Sequence, residues 1–278
     1  MTKRGAAPTP QAMAHHPPST PARRKPGPRP AARSPSPDDP PAHVWLYGLH
    51  AVTAALANPA RTLHRLVVTR NGAQHLGDRT AGLEPQIVSP DGLSGMLPPG
   101  AVHQGLGLLA DPLPEPDLDA SVLPPETARP VLVLDRVTDP QNVGAVLRSA
   151  AVFNARAVVT TARRSPPVTG ALAKAATGAV EHIPYVKVQN LARALERLKD
   201  GGYTTIGFAE EGAAALPDVM PPGPAAVVLG AEGEGLRPLT RELCDTLAHI
   251  PTPGPLSALN VSNAAAIALY HVVTHSLR

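Results

Sequence analysis

Cysteine is almost missing: Cys244 is the single one in 278 residues, which excludes a disulfide scaffold and any cluster of thiolate zinc ligands. Aromatics are scarce too, with two Phe, one Trp and four Tyr. The core must therefore be built of Val, Leu and Ala, and few rings are on hand to stack bases. No apolar run approaches the roughly 20 residues that span a bilayer; the longest, 264–273, is interrupted by His271. The N-terminus lacks the apolar segment of about 7–15 residues that marks a secretory leader. These absences predict a soluble, cytoplasmic protein. HExxH, a Ser nucleophile elbow and paired His ligands are missing as well. His50 and His103 stand isolated, so no metal is expected.

Proline is plentiful and unevenly spread, with 12 of 35 inside residues 1–43. That segment carries Lys3, Arg4, Arg23, Arg24, Lys25, Arg29 and Arg33 against Asp38 and Asp39, a net charge of +5. It has no hydrophobic periodicity and is predicted to be a disordered tail, able to hold RNA loosely through phosphates. The remaining residues, 44–278, sum to −2, so the folded part is no cationic coat for nucleic acid.

Residues 44–110 alternate short apolar runs with helical pieces: a strand at 44–46, a helix after Gly48, then strands at 63–69, 86–89 and 102–110. This is the pattern of a small α/β module. The proline- and acid-rich stretch 111–127 reads as a linker. From 128 to 278 strands and helices alternate strictly. Strands are predicted at 131–135, 156–161, 183–188, 204–209, 225–230 and 248–251, with helices through 153 and over 171–182, 191–199, 239–247 and from 262 onward. Strict alternation implies a parallel sheet covered on both faces, with ligands beyond the carboxyl ends of its strands.

Three exits from those strands are rich in Gly, Asn and Ser. In DRVTDPQNVGAVLRSA (135–150) the apolar stripe is Val143, Val146, Leu147 and Ala150, which turns Arg148 outward. Taken singly, Asn142 fits a helix cap and Arg148 a solvated charge. In VVLGAEGEGL (227–236) closely spaced glycines follow a buried strand and let backbone approach a ligand. The pattern is neither a Walker loop nor G-x-G-x-x-G. In IPTPGPLSALNVSNAA (250–265) Asn260, Ser262 and Asn263 crowd the start of a helix, more polar groups than one cap needs. The acidic glycine-rich loop of a Rossmann-type methyltransferase is absent after the first strand.

Together and in this order, the three segments resemble the SpoU/TrmH family of the SPOUT superfamily of RNA methyltransferases. Asn142, Gly144 and Arg148 match its first motif, GAEGEGL (230–236) its second, and IPTPGPLSALNVSNAA its third. YGLHAV (47–52) and AVHQGL (101–106) resemble the small RNA substrate-binding domain of members that methylate a 23S rRNA guanosine. The resemblance implies a deep trefoil knot, rare among folds, S-adenosyl-L-methionine as cofactor, and a homodimer whose subunits complete each other's site. It also implies a catalytic group of Asn142, Arg148, Glu232 and Asn260. Gly230, Ile250 and Leu259 would meet the cofactor through backbone, with Ser262 nearby. Many members carry a serine where this chain has Ala258, with Ser257 one place earlier. The reaction implied is 2′-O-methylation of a 23S rRNA ribose. A tRNA or resistance-type rRNA 2′-O-methyltransferase, or a non-catalytic RNA-binding assembly factor, are the alternatives.

Overall fold

The computed structural model describes Thr2 and residues 43–126, 129–219, 221, 223–255 and 259–276. Apart from Thr2 and His43, the predicted tail lies outside the described residues, as do Ser257 and Ala258. Residues 40–278 form one compact unit holding two sheets. The first contains β1 (Val44–Tyr47), β2 (Leu63–Val68), β3 (Gln86–Ile87) and β4 (Leu106–Ala110), with α1 (Leu49–Ala57), α2 (Arg70–Leu76) and α3 (Pro90–Ser94) between them. Its order is β1-β4-β2-β3, with β4 antiparallel to both neighbours. Leu46, Leu66, Leu106 and Leu108 bury against Ala51, Val52 and Ala55 of α1. The strand predicted from residue 102 begins at Leu106 because Gln104 and Gly105 take φ values of 52° and 81°, which end extended backbone. Gln104 Oε1 accepts the Leu49 N–H at 3.0 Å, so YGLHAV and AVHQGL are stitched to each other. His103 belongs to the same turn: its Nδ1 accepts the Gly105 N–H at 3.0 Å.

The second sheet follows α4 (Leu118–Val122). Its strands are β5 (Val131–Asp135), β6 (Ala157–Thr161), β7 (Tyr185–Val188), β8 (Thr204–Phe208), β9 (Ala214–Ala215), β10 (Ala225–Gly230) and β11 (Thr246–His249). They pair in the order β7-β6-β5-β10-β8-β11-β9, every pair parallel. The helices are α5 (Pro140–Val152), α6 (Gly170–Ala175), α7 (Leu191–Asp200), α8 (Pro238–Leu243) and α9 (Val261–Ser276). Alternate residues of β5 serve opposite cores. Val131 and Val133 pack with Leu191, Leu195 and Leu198 of α7, whereas Leu132 and Leu134 pack with Val143, Val146 and Leu147 of α5 and Leu269 of α9. Two covered faces explain why VLVLD is apolar at consecutive positions.

Some predicted bounds move. The segment read as linker contains α4, capped by the Asp117 side chain on the Ala120 N–H, and its Val122 is buried in the α7-side core. The helix predicted over 171–182 stops at Ala175, where Thr177 and Gly178 take φ values of 54° and 82°. A Cβ on Gly178 would lie 2.6 Å from Ala54 Cβ and 2.9 Å from the His50 carbonyl oxygen; the chain turns there because it runs against α1. The helix predicted over 239–247 ends at Leu243, and β11 starts at Thr246. Asp245 brings this about: its carboxylate accepts the Thr205 N–H at 2.9 Å, and its N–H donates to Thr205 Oγ1 at 3.0 Å. Burial, and then the Asp245 charge, push the Cys244 thiol up to about 12, so the lone thiol is inert near neutral pH. Among the described residues no helix is long and apolar enough to cross a membrane.

Candidate active site

The central strands β5, β10 and β8 end side by side, with Gly230 in register with Asp135 and Val228 with Gly207. Beyond those ends lies a cleft of about 730 Å³, inside the range of small-molecule sites. Its lining includes Gly230, Glu232, Ile250, Leu259 and Asn260. Of the four residues expected at a cofactor, Gly230, Ile250 and Leu259 line it; Ser262 does not.

The 230–236 loop owes its path to three glycines. Gly233 and Gly235 take φ values of 79° and 64°, conformations that side chains with a Cβ disfavour. Gly230 instead makes room: a Cβ there would stand 2.1 Å from the Gly235 carbonyl carbon. The loop folds back on itself through the Gly235 N–H donating to the Ala231 carbonyl at 2.9 Å. Leu236 plugs its far end into the α7-side core. Gly230→Ala should force the loop open and weaken cofactor binding at least about tenfold, while costing no more than a typical core substitution in stability. Calorimetric titration with S-adenosylmethionine checks this; unchanged affinity would detach the loop from the cofactor.

Three side chains from three segments converge at the rim. Asp139, not Asn142, caps α5: its carboxylate accepts the Gln141 and Asn142 N–H groups, each at 3.2 Å. The Asn142 side chain is thereby free to donate from Nδ2 to Glu232 Oε1 at 3.1 Å. Asn260 Nδ2 donates to Glu232 Oε1 at 2.6 Å and to Asn142 Oδ1 at 2.9 Å. Asn260 also caps α9, its Oδ1 accepting the Ser262 N–H at 2.9 Å and the Ser262 hydroxyl at 2.5 Å. Ser262 is thus a partner of the cap. Glu232, beside the N-terminus of α9, takes the Val261 N–H at 3.4 Å, where helix polarity favours an anion.

Arg148 is not part of this cluster. It is exposed and has no hydrogen-bond or salt-bridge partner among the described residues. It is six positions from Asn142, about 240° further round the helix. Gly144, between them, is a packing residue: a Cβ there would meet Ala175 Cβ at 2.5 Å, so α5 and α6 touch at that point.

Asp135 is a residue of the site that its own sequence neighbours do not single out. This fully buried carboxylate accepts the Arg237 N–H at 3.1 Å and Arg237 Nε at 2.7 Å, tying the end of the glycine loop to the end of β5. The available signal was an acid closing an otherwise apolar strand. The cleft itself is acidic. Glu210, Glu211, Glu232 and Glu234 line it; among the described residues Arg241 is the one arginine in the lining and pairs with Glu211 at 2.5 Å, while Arg136 reaches Glu234 at 3.4 Å. The hydrogen bond from Arg241 holds the Glu211 carboxyl below its usual range. Apolar walls from Leu229, Ile250, Leu259 and Val261 beside four glutamates suit a flat heterocycle joined to a cation, and disfavour a bare phosphate.

The sequence profile described as the SpoU rRNA Methylase family matches residues 129–270. A second profile, RNA 2′-O ribose methyltransferase substrate binding, matches residues 45–116. The chain belongs to the SpoU rRNA methylase family. Among its SpoU relatives is the 23S rRNA (guanosine-2′-O-)-methyltransferase RlmB of Yersinia pestis, 40% identical over 237 residues, covering 82% of this chain and 96% of the relative. RlmB of Ralstonia nicotianae is 40% identical over 235 residues, covering 82% and 94%. The SpoU methyltransferase AviRb of Streptomyces viridochromogenes, solved with AdoMet, superposes with a TM-score of 0.70 at 22% identity, over 85% of this chain and 91% of that one. That likeness speaks for the fold.

Proposed function

We propose that this protein transfers the methyl group of S-adenosyl-L-methionine to the 2′-hydroxyl of a guanosine ribose in 23S rRNA. The observation that carries the reading is the Asn142–Glu232–Asn260 cluster at the rim of an acidic, apolar-walled cleft. It is supported by RlmB relatives of nearly the same length as residues 44–278. The cofactor, when bound, supplies an electrophilic methyl group on a sulfonium. The glycine loop and the backbone at Ile250 and Leu259 hold it, and Glu232 and its neighbours favour its positive charge.

The remaining chemistry is positioning and charge. A ribose hydroxyl becomes nucleophilic as its proton leaves, and alignment with the reacting methyl is worth several kcal/mol, up to about 7–11 in the best intramolecular cases. A guanidinium is a planar hydrogen-bond donor with no acceptor site, so Arg148 is not cast as the base. Its planar fork binds the neighbouring phosphate and the developing alkoxide, and the proton passes to that phosphate or to water. Because Arg148 stands well round α5 from Asn142, it reaches a site through the homodimer, each subunit lending its Arg148 to the other. In support, Val152, Ile267 and Tyr270 leave an exposed apolar face on α5 and α9, the kind of surface that marks an interface. The trefoil knot belongs to the same reading, with the 230–236 loop held to the start of α9 through Glu232 and Asn260. A cytoplasmic location accords with the substrate.

The test is purified protein with labelled cofactor and separate 23S rRNA and tRNA, followed by mapping of the modified ribose. Label on a single rRNA guanosine is expected. Label on tRNA alone, or none, would overturn the proposal.

A further inference from the structure

Among the described residues one group of side chains outside the cleft is close enough to share a metal ion: His43, His64 and Asp111. The sequence spreads these three over almost 70 positions; the first sheet assembles them. His43 immediately precedes β1 and Asp111 immediately follows β4, and Ala110 is in register with both Val44 and Leu63. Between Leu63 and Arg65 the β2–β4 register slips by one, so His64 is the extra residue of a β-bulge. A bulge gives up ladder pairing and re-aims a side chain. Here the re-aimed imidazole places Nε2 at 2.6 Å from Asp111 Oδ1, while His43 Nδ1 approaches the same oxygen at 2.7 Å. The two rings are 4.3 Å apart, tilted by 58°.

We propose that His43, His64 and Asp111 bind a divalent ion of the zinc class, which clips the start of β1 to β2 and to the end of β4. Two imidazole nitrogens and one carboxylate oxygen suit a borderline d-block ion, whereas calcium and magnesium call for oxygen sets. Tetrahedral bonds of about 2.0–2.1 Å place ligand atoms roughly 3.3 Å apart. The ligand atoms here all lie within 4.8 Å of one another, so the ion enters as the two hydrogen bonds to Asp111 lengthen and the wider-spaced ligand atoms draw together. The carboxylate frame is firm: the Asp111 N–H donates to the Thr62 carbonyl at 2.9 Å, and its own carbonyl accepts Nη1 of the buried Arg61 at 2.6 Å. The side chains remain one-third to one-half exposed, which gives the ion a way in and leaves a coordination position for water.

The test uses the tag-free full chain, stripped with chelator, titrated with Zn²⁺ by calorimetry and with Co²⁺ by visible absorption. One equivalent should bind with a dissociation constant on the order of 1 μM or below, and Co²⁺ should give the strong bands of a four-coordinate site. His64→Ala and Asp111→Asn should each weaken binding at least about tenfold, since loss of a mere outer partner already costs that much. Far-ultraviolet circular dichroism should show both variants folded. Three results would overturn the proposal: no stoichiometric binding, equal affinity in wild type and both variants (which places the ion elsewhere, as on His15 and His16), or a loss in only one of the two.

Discussion

Arg148→Ala is expected to lower methyl-transfer turnover about 10²–10³-fold, the usual cost of removing a donor that stabilises developing negative charge, with no change in unfolding midpoint. The two halves of that expectation have separate grounds. Arg148 is exposed and has no partner among the described residues, so its loss removes no contact of the folded subunit and stability should stay within about 0.5 kcal/mol. Its side chain has no structural task to explain it, while its place on α5 leaves it free to meet RNA. Arg148→Lys keeps the charge and loses the planar fork; undiminished turnover in that variant would sink the two-pronged contact. Co-expressing Arg148→Ala with Asn142→Ala tests the exchange across the dimer. If each subunit lends its arginine, mixed dimers carry one intact site, and the population recovers about a quarter of wild-type activity. Recovery of nothing would mean that Arg148 serves its own subunit.

The second large effect concerns stability. Glu181→Ala should lower the free energy of unfolding by about 3–5 kcal/mol, because it leaves a buried guanidinium without its counter-ion. Arg61 and Glu181 have side chains only 1% exposed. Nε and Nη2 of Arg61 fork onto the carboxylate at 3.0 and 2.7 Å, and Asn58 Nδ2 adds a third donor at 2.8 Å. Arg61 lies between α1 and β2, whereas Glu181 follows α6, so this pair joins the small sheet to the large one. Urea titration of the single variants, and of the double variant Arg61→Met with Glu181→Leu, measures it. The double variant should recover much of the loss, since replacing both charges by apolar groups removes the uncompensated ion. A single variant unfolding at the wild-type midpoint would show that the pair is not buried in solution.

Much of this was legible beforehand where a residue's role depends on its own neighbours in sequence. The stripe Val143, Val146, Leu147 and Ala150 is fully buried, and VLVLD is a strand covered on both faces. What resisted were choices settled by distant partners. Asp139 and Asn142 are both good helix caps; Asp139 takes the task, and only the loop holding Glu232, 90 positions on, shows what Asn142 does instead. Asp135 looks like any strand end until Arg237 closes on it. His64 is one more polar residue in β2 unless the register with β4 is known, because a bulge belongs to a pair of strands and not to either alone.

The position of β10 bears on how the chain is made. Residues 225–230 fill the gap between β5 and β8, both of which leave the ribosome earlier. During elongation the apolar margin of 131–135 is bare, a hazard for sticking to other nascent chains. Its closure waits on a distant segment, which slows folding. A messenger truncated before codon 225 would yield a polypeptide lacking β10 and β11, with one margin of β5 and both margins of β8 unmatched, and such fragments should depend on chaperones or be degraded.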